Sequence, residues 1–309
     1  MNNIIHIGLH KSGSTFLQSK IFPKIKNHIY LGFYNSNTLS EETRYFQTCS
    51  KYSFNERKIK NLIEFINNCK NKNQNFLISS EGFTGSISSL AYGTGIFVET
   101  VAERIKKYIP NPKIVLMLRN QRDIINSSYK DDIQLGHTCN FDEWVKERLK
   151  MNSFEYYKYD KMVSYYQNIF GKNNVLVYLY EEVFDSPEGM QNFLKDIGLE
   201  LKISDHRISQ TMMKKINISN SNLITKLTRF INHFIKTKVS QGYNDGNYNL
   251  PLYNFWRYHL SKKLSLLIKS EKKYLYNKHL DKFLLTLNDN NERLFQQLNR
   301  NPNKNYFFE

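Results

Sequence analysis

The sequence predicts an α/β fold, a three-layer sandwich around a central parallel sheet, with a helical C-terminal extension. Three observations predict it. Short apolar runs alternate with amphipathic segments through the first two-thirds of the chain, which is the signature of βαβ units. The first apolar run passes directly into a loop rich in Gly and Ser and then into a helical pattern. Past residue 200 the strand signal fades and helical periodicity alone remains.

The strands are expected, in order, at residues 3–9 (NIIHIGL), 28–34 (HIYLGFY), 75–79 (NFLIS), 113–119 (KIVLMLR) and 174–180 (NVLVYLY). Between them apolar residues recur at helical spacing over 14–26, 56–70, 95–108, 121–135, 141–150, 153–170 and 187–197. The last of these has its own boundaries: Asp185-Ser186 caps it, Pro187 opens it and Gly198 stops it. Helices follow over 217–236, 253–275 and 277–299, where Leu280, Leu284, Leu287, Leu294 and Leu298 form a stripe expected to pack inward. The Gly- and Asn-rich stretch 239–251 reads as a loop. Residues 1–205 are therefore expected to form a ligand-binding core, and 206–309 a mostly helical extension packed on it within the same domain.

Composition bounds the setting. A chain of 309 residues, 40% hydrophobic, can bury a sizeable core. Its 44 Lys and Arg against 28 Asp and Glu give a net charge of +16, which favours anionic partners such as nucleotides, acidic glycans, nucleic acid or a membrane surface. Basicity alone does not name the partner, because lysine is spread through the chain with much Asn, Ile and Tyr. Cys49, Cys69 and Cys139 are odd in number and far apart, so free thiols in a reducing compartment are expected rather than disulfides or a metal cluster. The N-terminus lacks the basic flank and apolar core of a signal peptide, and no apolar run reaches the roughly 18 residues that a membrane span needs. The expected location is cytoplasmic, with peripheral membrane contact left open. Oligomeric state is not readable at this level.

The segment IGLHKSGSTFLQ, residues 7–18, carries the chemistry. A nucleoside-triphosphate P-loop reads G-x-x-x-x-G-K-[ST]. Here Gly8 and Gly13 keep the spacing, but Ser14 stands at the lysine position and the loop's lysine is Lys11. At the carboxyl end of a parallel strand, exposed amides and the helix dipole favour an anion. The hydroxyls of Ser12, Ser14 and Thr15 add donors, each hydrogen bond to a charged group being worth roughly 1.5–3 kcal/mol. A triphosphate also needs a divalent cation held by an acid at the end of a second strand. The strand 113–119 ends instead in Arg119, with Ser127 and Ser128 at the start of the next helix. That arrangement asks for a ligand with two separated anionic groups and no metal.

HKSGSTFLQ and LRNQRDIINSSY resemble the two nucleotide-binding motifs of sulfotransferases that use 3′-phosphoadenosine 5′-phosphosulfate (PAPS). Residues 11–17 satisfy the loop pattern K-[ST]-G-[ST]-[ST]-[WF]-L, and Arg119 and Ser127 reproduce the second motif's spacing. Residues 173–200 are similar to the family's strand, Tyr-Glu turn and following helix. The second motif departs from the family at Gln121, where Pro is usual, and at Ile124, where Arg is usual. The basic, Gly-containing segment that covers the 3′-phosphate in some members has no clean counterpart; the 239–251 loop, with Lys236 and Lys238 before it, is the candidate replacement.

The resemblance implies a P-loop NTPase-like core and sulfuryl transfer from PAPS, leaving adenosine 3′,5′-bisphosphate. By the family pattern Lys11 stabilises charge on the departing phosphate, Ser12, Gly13, Ser14 and Thr15 hold the 5′-phosphate, Arg119 with Ser127 holds the 3′-phosphate, and Tyr180 meets adenine or packs in the core. The acceptor, a hydroxyl or amine expected on a saccharide, must lose a proton to a base. Glu81, just beyond a strand end, is the leading candidate, against the reading of a helix-capping or salt-bridged carboxylate; His10 and His137 are rivals. A P-loop kinase or NTPase, and a noncatalytic nucleic-acid-binding protein, are the alternatives. The latter lacks interleaved aromatic and basic motifs, so no nucleic-acid partner is expected.

Overall fold

The computed structural model describes residues 2–32, 39–84, 98–202, 220–235, 237, 250–267 and 274–309. Five parallel strands form its centre: β1 (Asn3–Gly8), β2 (Ile29–Gly32), β3 (Phe76–Ser79), β4 (Pro112–Leu118) and β5 (Val175–Leu179), in the order β2-β3-β1-β4-β5. Every strand expected from the sequence is present. Strands covered on both faces read as continuous apolar runs, and alternate side chains feed two separate layers. Ile5, Ile7, Ile114, Leu116, Val175 and Val177 face one core. Ile4, Leu77, Val115, Met117 and Tyr178 face the other.

The helices that build the outer layers and the C-terminal part are α1 (Ser14–Phe16), α2 (Leu39–Thr48), α3 (Lys60–Asn71), α4 (Val98–Tyr108), α5 (Gln121–Leu135), α6 (Phe141–Lys150), α7 (Tyr159–Phe170), α8 (Tyr180–Phe184), α9 (Pro187–Asp196), α10 (Asn222–Ile231), α11 (Pro251–Phe255), α12 (Ser261–Leu267), α13 (Lys278–Thr286) and α14 (Asn288–Leu298). α1 runs on as a π turn over Leu17–Ile21 and a 3-10 turn over Phe22–Lys24, so the helical path matches the expected span. Ser186 caps α9 by accepting from Gly189 N, with Pro187 in its first turn. α2 was not expected, and Tyr180 opens a short helix instead of closing β5.

The C-terminal Leu stripe does pack inward. Leu280, Leu284, Leu287 and Leu294 join the same core as β1 and β4, although the expected single helix breaks at Leu287 into α13 and α14. Polar bonds reinforce the contact: Gln121 Nε2 donates to Asn291 Oδ1 at 2.6 Å, Arg122 pairs with Asp281 at 2.7 Å and Arg293 with Asp160 at 2.9 Å. The 239–251 loop, except Leu250 and Pro251, lies outside the described residues, as do Lys236, Lys238 and residues 85–97.

β1 is central, and the chain crosses from β3 on one side of it to β4 on the other. The crevice at the carboxyl end of such a switch is where open α/β sheets bind ligands. The loops after β1, β3 and β4 all emerge there.

Candidate active site

The turn after β1 is built to place amides. Leu9 N still bonds Met117 O of β4 at 3.2 Å; then Ser12 turns both its amide (3.1 Å) and its hydroxyl (2.5 Å) onto Leu9 O. Gly13 has φ 83°, and a Cβ there would lie 2.5 Å from the Phe184 ring, so only glycine fits. A side chain on Gly8 would strike the Ser14 hydroxyl. The amides of Ser14 and Thr15 precede the first helical bonds of α1, which Phe16 N and Leu17 N make to Gly13 O at 3.0 and 3.2 Å. Lys11 is the unusual residue, with φ 68° in a region that side chains rarely adopt.

Two neighbours hold Lys11 in that conformation. Arg119 Nη1 donates to its carbonyl oxygen at 2.5 Å, and its ammonium pairs with Asp131 Oδ1 at 2.9 Å. Arg119 is the first residue after β4. Its guanidinium lies 4.5 Å from the Tyr180 ring centroid and reaches Asp123 Oδ2 at 3.4 Å, while Tyr159 Oη donates to its carbonyl at 2.8 Å. Tyr180 stacks in turn on Phe184 at 4.7 Å. Asn120 caps α5, and its amide donates to Glu181 Oε1 at 2.8 Å. Ser127, partly exposed, lies one turn from both Asp123 and Asp131 on the same face of α5. The sequence motifs at 11–15 and 119–127 are therefore one site.

Glu81 opens a 3-10 turn directly after β3, and its Oε2 lies 3.1 Å from His10 Nδ1, with 24% and 34% of the two side chains exposed. Burial pushes the Glu81 carboxyl up, but the His10 hydrogen bond and the charges of His10, Lys11 and His6 outweigh it, leaving its pKa below the ordinary value. Two of the three candidate bases thus touch each other beside Lys11. His137 sits elsewhere, past the α5 C-cap at Gly136, where its carbonyl accepts from Asn232 of the α10 side at 2.9 Å.

Several residues that shape the site escape sequence reasoning. Asp131 and Asp123 hold the two cations, Tyr159 and Asn120 fix the Arg119 turn, and Thr84 Oγ1 donates to Gly8 O at 3.4 Å. Behind the loop His6 is fully buried, its Nδ1 2.8 Å from Ser79 Oγ, and burial lowers its pKa to about 4 in spite of the Glu81 charge.

An anionic nucleotide fits these residues. The Ser14 hydroxyl and Arg119 Nε are buried donors without an acceptor among the described residues, and buried donors are rarely left so. Both belong to the loop and strand ends that flank the switch point. The fold they sit in is that of a P-loop-like α/β protein, with unsatisfied donors at the crevice of its switch point.

The model of the sulfotransferase domain family matches residues 2–245. The chain belongs to that family and is a PAPS-dependent sulfotransferase. Among solved structures it is similar to a sulfotransferase from Alicyclobacillus acidocaldarius, at 17% identity over 75% of this chain and 94% of that one, with a TM-score of 0.46. It is also similar to mouse sulfotransferase SULT7A1 complexed with PAP, at 12% identity over 96% of this chain and 88% of that one, with a TM-score of 0.44. A search of curated protein sequences found no match.

Proposed function

We propose that the chain transfers the sulfuryl group to a hydroxyl or amine of a saccharide, such as a cell-surface polysaccharide precursor, by in-line displacement. The observation that carries the reading is the 3.1 Å contact between His10 and Glu81 beside the Lys11 turn. A carboxylate holding the Nδ1–H of a histidine leaves Nε2 free to accept a proton, so the pair acts as one base toward an acceptor hydroxyl.

Bound PAPS supplies an electrophilic sulfur and a phosphate leaving group; the chain's residues supply the rest. The Lys11 ammonium stabilises the charge that develops on the leaving phosphate, a donor of this kind being worth about 10²–10³ in rate. Gly13, Ser14 and Thr15 hold the 5′-phosphate through main-chain amides and hydroxyls. Ser12 shapes the turn, since its hydroxyl and amide already bond Leu9 O. Arg119 and Ser127 hold the 3′-phosphate, and the Tyr180 ring receives adenine. No metal enters the reading.

Residues 1–205 serve as the donor-binding core and 206–309 as an extension of the same domain, which the bonds from Gln121 and Arg122 to Asn291 and Asp281 support. Three free cysteines support a cytoplasmic setting. The net charge of +16 favours an acidic or extended acceptor. Incubating the protein with labelled PAPS and a panel of glycans, lipids and phenols tests the acceptor class. Label is expected in a glycan; transfer confined to phenols or lipids contradicts the saccharide assignment.

A further inference from the structure

The C-terminal helices wear their polarity inside out. α10 turns Ile224, Thr225 and Thr228 inward, and the two threonines spend their hydroxyls on Ser221 O (2.9 Å) and Ile224 O (2.7 Å). Trp256, just past α11, donates to Thr228 Oγ1 at 3.1 Å, so the two helical segments meet through this polar seam. Their outward faces are apolar. Leu223, Leu227, Phe230 and Phe234 follow one another at helical spacing on α10 and its last turn, and Leu252 and Phe255 lie on α11, each between 40% and 73% exposed. These six are half of the twelve large apolar side chains exposed among the described residues, gathered in two short segments. A packing stripe would be covered; among the described residues nothing covers this one.

Cations accompany the stripe. Lys226 and Lys263 are exposed on the same segments, and neither 220–235 nor 250–267 contains an acidic residue. Over 206–270 the sequence has eleven Lys or Arg against the single acid Asp245, a net +10 of the chain's +16. That imbalance decides between occupants. A symmetric dimer through this face would set the same cations against each other, with no carboxylate on these segments to offset them. A helix face of Leu and Phe bordered by Lys and Arg is what settles into the interface of an anionic bilayer, where apolar side chains enter the acyl boundary and cations meet lipid phosphates. α10 and α11 are anchored at the C-terminal end of α5, by Asn232 Nδ2 on Ile133 O (2.7 Å) and Tyr253 Oη on Gln134 O (3.0 Å).

We propose that the outward face of α10 and α11 binds the surface of an anionic lipid bilayer. The inference does not depend on the acceptor or on any role assigned to the active-site residues.

Flotation of the full-length protein with phosphatidylserine-containing vesicles, and with phosphatidylcholine vesicles alone, tests it. The protein should float with the first and not with the second, and added salt should release it. Phe230→Ser with Phe234→Ser should abolish flotation while the thermal melt and the affinity for adenosine 3′,5′-bisphosphate stay unchanged. Should that double variant fold poorly, Lys226→Glu provides the second reading: loss of each cation near an anionic surface lowers partitioning about fivefold. The proposal is overturned if wild type stays in solution with phosphatidylserine vesicles at low salt, if the charge and phenylalanine variants float as well as wild type, or if wild type forms a lipid-independent dimer that Phe230→Ser disperses.

Discussion

Arg119 Nη1 donates to the main-chain carbonyl of Lys11 at 2.5 Å, joining residues 108 positions apart in the chain. The contact links the turn after β1 to the end of β4, and it helps hold Lys11 at φ 68°. Arg119 bonds the Lys11 carbonyl and Asp131 pairs with its ammonium, so the residue is held at both ends. Binding and chemistry can then be separated residue by residue.

Lys11→Ala should lower kcat by about 10²–10³, the worth of one preorganised donor at developing charge. Affinity for adenosine 3′,5′-bisphosphate, read by calorimetry, should change far less. A dissociation constant that rises as much as kcat falls would make Lys11 a binding residue and remove its proposed role at the leaving phosphate.

Asp131→Asn should tighten donor binding. The Lys11–Asp131 pair, with side chains 31% and 36% exposed, is a partly solvated ion pair. Such pairs contribute at most about 1 kcal/mol, so removing this competitor for the ammonium should improve affinity by up to about fivefold. Weaker binding in this variant would mean that Asp131 positions the ammonium instead of competing for it.

Glu81→Gln should cut turnover by about 10²–10⁴, the usual contribution of a positioned base, with the fold intact by thermal melt. The pH profile divides the pair. Glu81 has a lowered pKa, so its charged form persists as pH falls through the ordinary carboxylate range and is lost only below it. Activity retained down to that range assigns proton acceptance to Glu81. Activity lost while a free carboxylate would still be ionised assigns it to His10, with Glu81 as the positioning residue. Near-full turnover in Glu81→Gln removes both assignments.

Stability should fall between pH 6.5 and about 4 because of His6, whose pKa burial lowers across that window. There the unfolded state takes up a proton that the folded state refuses, so stability rises with pH, and the whole window is worth about 3 kcal/mol. His6→Gln should be destabilised less at low pH than at neutral pH, relative to wild type, by that amount. Parallel pH curves from chemical denaturation would show that His6 is not the group responsible.

The strands were legible because β1, β3, β4 and β5 are covered on both faces and read as mostly apolar runs, and even β2, whose Ile29 is exposed, keeps Tyr30 and Leu31 buried. α2 was not: its sequence LSEETRYFQT buries Phe46 at one end, and the helix is held by Arg104 donating to Phe46 O at 2.6 Å, a contact with no sequence signal. In the site, Lys11, Arg119, Glu81 and His10 could be grouped because each follows a strand of one parallel sheet. Asp131 could not. It stands beside Asp132, and only the roll of α5 over the loop decides that Asp131 meets Lys11 while Asp132 is buried with Arg148 at 2.7 Å and Trp144. His137 lies past Gly136, and its main-chain carbonyl accepts from Asn232 at the end of α10, apart from the His10–Glu81 pair. Tyr180, expected at the end of β5, is instead the first residue of α8, with the Arg119 guanidinium 4.5 Å from its ring centroid.

In the proposed site the Lys11 turn and Arg119 grip two ends of one nucleotide. Calorimetric titration of adenosine 3′,5′-bisphosphate and of adenosine 5′-monophosphate into wild type and Arg119→Ala, without divalent metal, tests it most directly. Wild type should bind the bisphosphate at least about tenfold more tightly, the worth of a charged hydrogen bond, and Arg119→Ala should scarcely distinguish the two. If the variant discriminates between them as strongly as wild type does, Arg119 does not hold the 3′-phosphate and the two-ended site is contradicted.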